Sequence, residues 1–585
     1  MTLDWKKRAS IYFLIARPIL KDKIFFVLST SYTCLIAILY LALPLSIETL
    51  IGTITSTASV QPIIIVSVIL LCLLILSGIL TLLQKYLIDI YYRASFVRLA
   101  SDLFLKVLYA NNALFEKSNT SDMNGRYFEI FNIQKSVSVL LIDGLLILLQ
   151  LLVSVILVSF YHPYLFLLNL ICVTSLVFIW RIFFNKAIQG AINKSHAKFH
   201  VFSWLHDIFR LNKVFKSKTH KDFALNKAKI LMGDYVQKSQ QYWRITLKQN
   251  ILLVILYLFM TMALFSIGGF LVIKGQLSLG QLVAAEIIFT GVLYSISKLG
   301  YYFDLFYNLI ASAEELQDIF SIEDETLSEF MIHEPKMMQQ SSLLVFKEVK
   351  YFDHKQGNQA QFNFTIEEGK AYVLTVETTY LREIFIALIQ NYIEPTHGLI
   401  QLNQMNISLY NQHYLRDQFY IISDSTIFSC TMKEFLLLDK PNFDHELLQM
   451  ILDLVGLDKI IPHYPEELNT KIISTGYPLS SVEIILLKLA RCLILKPKIL
   501  ILTEIIDLIS PEIFARVIGY ITSKKEITLL HFSQYLKPEF CSYDKFLYIG
   551  QLTCLESSTM NEHKKNLALT FQEKNNENNN EQTIG

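Results

Sequence analysis

In the first half of the chain, apolar residues neither alternate nor recur on one face; they run unbroken. Runs near 24–47, 62–83, 139–160, 164–185, 249–273 and 282–310 are apolar enough to span a bilayer, for which a helix needs about 20 residues. The second and fifth carry no charge in their cores, whereas the sixth holds Glu286, Lys298 and Asp304. Charges at such depth face a partner or a cavity.

From about 343 the rhythm changes. Short strand-like runs (LLVFKEVKYF, FNFTI, AYVLTV, LIQLN, FYIIS, KILIL, ITLLHF, KFLYIG) alternate with helical ones at 382–391 and 481–495. That alternation predicts an α/β cassette with a largely parallel central sheet. Between the halves, Glu314, Glu315, Asp318, Glu323, Asp324 and Glu325 open a polar stretch that reads as a domain boundary. The predicted division is an interfacial amphipathic helix over 1–23, a six-span domain over 24–315, a linker over 316–342, the cassette over 343–555 and a tail over 556–585. The tail, with NNENNNEQ, lacks the apolar content to fold alone.

Spacing adds orientation. Connections after the first, third and fifth runs are short, while those after the second and fourth reach about 55 and 63 residues and are helix-rich. Lys85, Arg93, Arg98, Lys106, Lys117, Arg126 and Lys135 fill the first long connection, and the short ones hold little beyond Lys274. By the positive-inside rule both termini and both long connections are cytoplasmic.

Composition fits this reading. Of 585 residues, 53% are hydrophobic and 18% charged, too apolar for an ordinary soluble protein. A net charge of +1 gives no footprint for nucleic acid. The seven cysteines form no CxxC pair and read as free thiols.

Three membrane-half segments carry a resemblance: ALFEKSNTSDMNGR (113–126), RLNKVFKSKTHKDFALNKAKI (210–230) and GGFLVIKGQLSLGQLVAAE (268–286). With six spans, two long inner connections and a following cassette, the chain resembles an ATP-binding cassette (ABC) exporter half-transporter. The resemblance implies ATP and Mg²⁺ as cofactors. It also implies a homodimer, or a heterodimer with another half-transporter, in a plasma (bacterial inner) membrane.

The cassette motifs are present in order, but altered where they would touch nucleotide. Residues 371–398 have the strand–turn–helix frame of a phosphate-binding P-loop, G-x-x-x-x-G-K-[ST]. Against the family pattern G-E-S-G-S-G-K-S-T stand Val376, Glu377, Thr378, Thr379, Tyr380, Leu381, Arg382, Glu383 and Ile384. Forcing such residues into left-handed turns costs about 1–2 kcal/mol each, and their side chains would occupy the cradle. Arg382 replaces the lysine with a planar head that is not an equivalent point charge. Glu383 replaces the Mg²⁺-binding hydroxyl.

Elsewhere, Asp353 falls where an adenine-stacking aromatic belongs, beside Tyr351 and Phe352. Asp424 takes the place of the glutamine that senses Mg²⁺ and water. The signature LSGGQ is Leu479-Ser480-Ser481-Val482-Glu483, retaining Ser480. In PKILILTE, Thr503 replaces the Mg²⁺-binding aspartate, and Glu504 sits at the general-base position. His531 follows strand ITLLHF at the switch-histidine position. Glu504 and His531 are therefore inherited catalytic positions without the groups that would use them.

The leading expectation is an exporter subunit for a peptide, lipid or other amphipathic substrate, with weak or absent ATPase of its own. A non-catalytic membrane scaffold or receptor on the same fold, and an active homodimeric ATPase with unusual residues, are the alternatives.

Overall fold

The computed structural model describes residues 23–56, 60–111, 123, 125–325, 342–352, 359–438, 443–534 and 542–569. The chain divides into two units, Met1–Glu325 and Thr326–Gly585. The expected interfacial helix over 1–23, most of 113–126 and Asp353 lie outside the described residues.

Among the described residues of the first unit, six helices are long and apolar enough to cross a membrane. Such a segment must satisfy its backbone internally, so a helix is the form a long apolar run takes in a bilayer. The first crossing is broken into α1 (Lys23–Leu39) and α2 (Ala42–Ser56). Pro44 explains the break, because it has no N–H to give to the Tyr40 carbonyl one turn earlier. Then follow α3 (Val60–Leu108) and α4 (Glu129–Val139), which passes through a π-helical turn at Leu140–Gly144 into α5 (Leu145–Tyr161). The unit closes with α6 (Pro163–Arg210), α7 (Lys218–Ile273) and α8 (Leu279–Phe320).

The 56 residues of α7 extend about 80 Å at 1.5 Å per residue, far beyond the ~30 Å hydrocarbon core. The long connections are thus continuations of the spanning helices, as their spacing predicted. Between α7 and α8 the chain turns at Gly275 (φ 69°) and restarts on a capping box. Ser278 Oγ accepts from Gln281 N–H at 3.0 Å and Gln281 Oε1 accepts from Ser278 N–H at 3.0 Å.

The acidic stretch that reads as the start of a linker is not one. Helix α8 runs on to Phe320, and Glu314, Glu315 and Asp318 lie within it. Glu315 is fully buried and pairs with Arg126 Nε at 3.3 Å and His196 Nε2 at 3.7 Å. Asp318 takes Arg126 Nη1 at 2.8 Å. One turn back, Ser312 and Lys198 both bond the buried Glu129. Charge pairing across α4, α6 and α8 lets these acids sit inside, which a count of acidic residues cannot reveal.

Among the described residues, the second unit holds three sheets. Its strands are β1 (Ser342–Phe352), β2 (Gln359–Glu367), β3 (Ala371–Val376), β4 (His397–Leu402), β5 (Met405–Asn406), β6 (Phe419–Ile422), β7 (Cys430–Thr431), β8 (Lys471–Ile472), β9 (Ile499–Leu502), β10 (Thr528–Phe532), β11 (Lys545–Ile549) and β12 (Cys554–Ser557). The main sheet has the order β12-β11-β3-β10-β9-β6, parallel except for β12. An antiparallel sheet has the order β2-β1-β4-β5, and β7 pairs with β8. Strands β3, β9 and β10 are buried on both faces and correspondingly mostly apolar, with Thr375, Thr528 and His531 among the exceptions. The helices that matter for the site are α9 (Thr379–Ile389), α10 (Ser481–Leu495) and α11 (Pro511–Lys524).

The tail begins later than its composition predicts. Residues 554–557 complete the sheet and 560–569 are helical. His563 is fully buried there, its Nε2 2.9 Å from Thr375 Oγ1 and its ring 5.7 Å from that of Phe546. His563 anchored on β3, with Met560 packed on the core and Asn566 bonded to Ser557 Oγ at 3.0 Å, holds a segment whose average composition is polar.

Candidate functional site

Strand β3 ends at Val376, and helix α9 begins only three residues later, at Thr379. No glycine loop intervenes. Thr378 is in extended conformation (φ −138°, ψ 151°) and caps the helix, its Oγ1 accepting from Leu381 N–H at 3.4 Å. The Glu377 N–H continues the sheet to the Ile549 carbonyl at 3.0 Å, and its Oε2 accepts from Gln551 N–H at 3.0 Å. Positive φ occurs at seven described non-glycine residues, and none lies within 376–384.

The strain expected from side chains in left-handed turns is therefore absent, because the turns are absent. At the third glycine position, Leu381 is 0% exposed in the core beneath α9, with Ile384, Phe385 and Leu388. Val376 and Tyr380 pack on the same cluster.

Arg382 points the other way. Its Nη1 donates to Glu504 Oε2, while Nη2 and Nε bond Glu383 Oε1 at 2.8 and 3.2 Å. The Arg382 and Glu504 side chains are only 16% and 21% exposed. The structure thus brings together three of the residues singled out in the sequence, and they satisfy one another.

Thr503, 1% exposed, turns its hydroxyl onto the Ile422 carbonyl at 3.2 Å. Asp424, in the loop after β6, is held by Lys488 Nζ at 2.8 Å and by Thr426 N–H and Oγ1 at 2.9 and 2.8 Å. Burial works against its ionisation, but the hydrogen bonds from Lys488 and Thr426 outweigh it and hold the carboxyl below its ordinary range.

Ser480 caps α10 in a reciprocal box. Its Oγ accepts from Glu483 N–H at 3.3 Å, and Glu483 Oε2 accepts from Ser480 N–H at 2.6 Å. Tyr464 Oη donates to Glu483 Oε1 at 3.2 Å. Ser480 and Glu483 of the signature are thus turned onto their own helix.

His531 does not join this site. It lies inside β10 rather than after it, fully buried, with Nδ1 2.9 Å from Tyr543 Oη and its ring 5.5 Å from Phe514. Burial pushes the Tyr543 hydroxyl up, so it stays neutral. Alternation places His531 with Leu529 on one face of the sheet and Leu530 with Phe532 on the other, where α9 packs. Tyr351, near Asp353, packs against the core on β1.

Three partners escape a sequence-level reading: Lys488, Tyr543 and the Glu504 contact of Arg382. The Ser480–Glu483 box does not, since S-x-x-E before an apolar helix is its pattern.

A magnesium triphosphate needs a concave row of backbone N–H groups, an unpaired cation and oxygen ligands for the metal. Here the N–H groups enter a helix, the cation is paired twice and the Thr503 hydroxyl is spent on a carbonyl. The residues present do not fit that group.

The fold is nevertheless that of the ABC exporters. Residues 26–296 match the ABC transporter transmembrane region family. The chain is similar to the uncharacterized ABC transporter ATP-binding protein YknU of Bacillus subtilis, 25% identical over 446 residues, 74% of each chain. It is 28% identical over 258 residues to the beta-(1→2)glucan export ATP-binding/permease protein NdvA of Bartonella quintana, spanning 43% of this chain and 42% of that one. It is 24% identical over 301 residues to the transport/processing ATP-binding protein ComA of Streptococcus pneumoniae, 49% of this chain and 40% of that one. Among solved structures, a bacterial Atm1-family ABC exporter with ATP bound superposes at a TM-score of 0.81, with 15% identity, over 94% of this chain and 96% of that one. The chain is an integral membrane protein of the ABC exporter kind, a half-transporter that carries membrane region and cassette on one polypeptide.

Proposed function

We propose that this chain is an exporter subunit whose own cassette neither binds nor hydrolyses ATP to a useful degree. The single observation that carries the reading is the ion pair of Arg382 with Glu504, which joins the lysine position to the general-base position and leaves neither for a nucleotide. The Ser480–Glu483 box supports it from the other half of a composite site.

The subunit works as a homodimer or beside another half-transporter. It lies in a plasma (bacterial inner) membrane with both termini cytoplasmic, as the lysines and arginines between 85 and 135 support. Its cargo is a peptide, lipid or other amphipath moving outward, a class consistent with the glucan-export and transport/processing names of its relatives.

Equilibrium binding of radiolabelled ATP to the purified full-length chain, with and without Mg²⁺, tests the cassette reading. No saturable binding at micromolar nucleotide is expected; submicromolar affinity overturns it. The damaged signature also favours a second reading, a scaffold that moves nothing. Vesicle transport by the chain with its co-purifying partner separates the two, since a scaffold leaves the partner's transport unchanged when removed.

A further inference from the structure

Within the first unit, α1, α4, α5, α6 and α8 line an open cavity of about 660 Å³, inside the range of about 300–1,000 Å³ typical of small-molecule sites. It is lined by residues such as Leu145, Leu148, Leu176, Val177 and Phe306, and of all the lining side chains only Trp180 and Tyr302 carry a polar atom. The π-helical turn at Leu140–Gly144 borders it, contributing Leu140, Leu141 and Gly144. Such turns are inserted where a helix must depart from regular packing, frequently at functional sites. Charged residues stand next to the cavity lining in the chain, Asp143 before Gly144 and Lys298 before Leu299. Lys298, whose ammonium lies 4.4 Å from the centroid of the Tyr294 ring, and Asp143 of the π turn both act electrostatically on Tyr302. Both side chains are exposed, lie in helices apolar enough to span a bilayer, and act electrostatically on each other.

We propose that this cavity takes the hydrocarbon tail of a zwitterionic phospholipid-like amphipath, its phosphate toward Lys298 and its ammonium toward Asp143. The inference rests on the exporter reading above and chooses among its substrate classes. A peptide segment in the cavity would bury N–H and C=O groups beside walls that offer two polar side-chain atoms, and each unpaired group carries its full desolvation penalty. A hydrocarbon tail asks for no partner and gains with every methylene buried. A purely anionic head would meet Asp143 as well as Lys298, whereas a head carrying both signs matches both. Charged side chains at membrane depth are retained where they meet such a group.

The full-length chain in nanodiscs is photolabelled with diazirine-tailed phosphatidylethanolamine, and in parallel with the phosphatidylglycerol analogue and a photoreactive apolar peptide; adducts are mapped by mass spectrometry. The zwitterionic probe should label the cavity walls in preference to the other two. Leu148→Trp with Val177→Trp, at two wall positions 57% and 58% exposed, fills the space without touching the buried core and should cut that labelling. Lys298→Glu or Asp143→Lys alone should lower it about five- to tenfold, the scale of one close charge contact. The double exchange, which keeps both signs, should restore it.

Equal labelling by both lipids with no response to the filled cavity means annular lipid only and overturns the proposal. So does preferential peptide labelling, or failure of the double exchange to restore. Labelling reads occupancy without turnover. A chain that exports nothing can still pass this test, and an exporter of peptides fails it, so the two readings fall separately.

Discussion

The guanidinium of Arg382 is seated on the carboxylate of Glu504, 122 positions further along the chain. Arg382 stands in the first turn of α9 after β3, and Glu504 comes two residues after the end of β9, with β10 between the two strands. The two ends of the sheet that would hold a phosphate and an attacking water are joined instead by protein alone. Glu504 Oε1 has no hydrogen-bond partner of its own, so Arg382 is what compensates this carboxylate.

Removing that compensation should be costly. Arg382→Ala should destabilise the second unit by about 1.5–3 kcal/mol, the scale of a hydrogen bond to a charged group. Arg382→Ala with Glu504→Gln should recover part of the loss, since the orphaned charge is then gone. Hydrogen exchange of β3 and β9 in the full-length single and double variants measures the coupling. Additive effects would mean that the contact is incidental.

Rebuilding a glycine loop should fail at one position in particular. Leu381→Gly removes a fully buried side chain and adds a glycine to a helix, together about 3–6 kcal/mol. Thr379→Gly, at an exposed first-turn position, should cost only about 1 kcal/mol. Denaturant unfolding of the two variants checks the contrast. Comparable losses would contradict the observed packing.

The signature residues should behave as a helix cap. Ser480→Ala should cost about 1 kcal/mol and raise exchange in the first turn of α10, without altering any nucleotide-dependent signal. Glu483→Gln keeps an acceptor for the Ser480 N–H and should be nearly silent. Exchange rates at Ser481–Glu483 give the readout.

Docking of the 560–569 segment should weaken in acid. Burial lowers the His563 pKa from the usual 6.5 to about 4. Between those values the undocked chain binds more protons than the docked one, so stability is whole above about pH 6.5 and is lost as pH falls toward about 4. Exchange protection of 560–569 should follow that window in the native chain and flatten in His563→Asn. Protection that stays constant down to pH 4 would refute the assignment.

The six spans, the α/β order of the cassette and the altered nucleotide contacts were all legible in the residues. Long apolar runs have only one backbone solution in a bilayer, and motif positions are linear information. The Ser480–Glu483 box was legible too, as a local S-x-x-E. The strain predicted at Val376, Thr379 and Leu381 was not a feature of the molecule, because a loop without glycine had another path: a strand, a capping Thr378 and an early helix. Composition started the linker of 316–342 inside α8, though the division between the two units at 325/326 falls within it, and it placed residues 556–569 in the tail although they continue the folded unit. In both places a few pairings, Glu315 with Arg126 and His563 with Thr375, override the average character of the segment.

By itself, then, the sequence determined what kind of scaffold this is and which chemical groups it has lost, since hydropathy and local spacing act within a few turns of the chain. Only the tertiary structure decided what the surviving groups do. Arg382 meets Glu504, Asp424 meets Lys488 and His531 turns toward Tyr543 through strand order and side-chain facing. Those depend on contacts between residues 12, 64 and 122 positions apart.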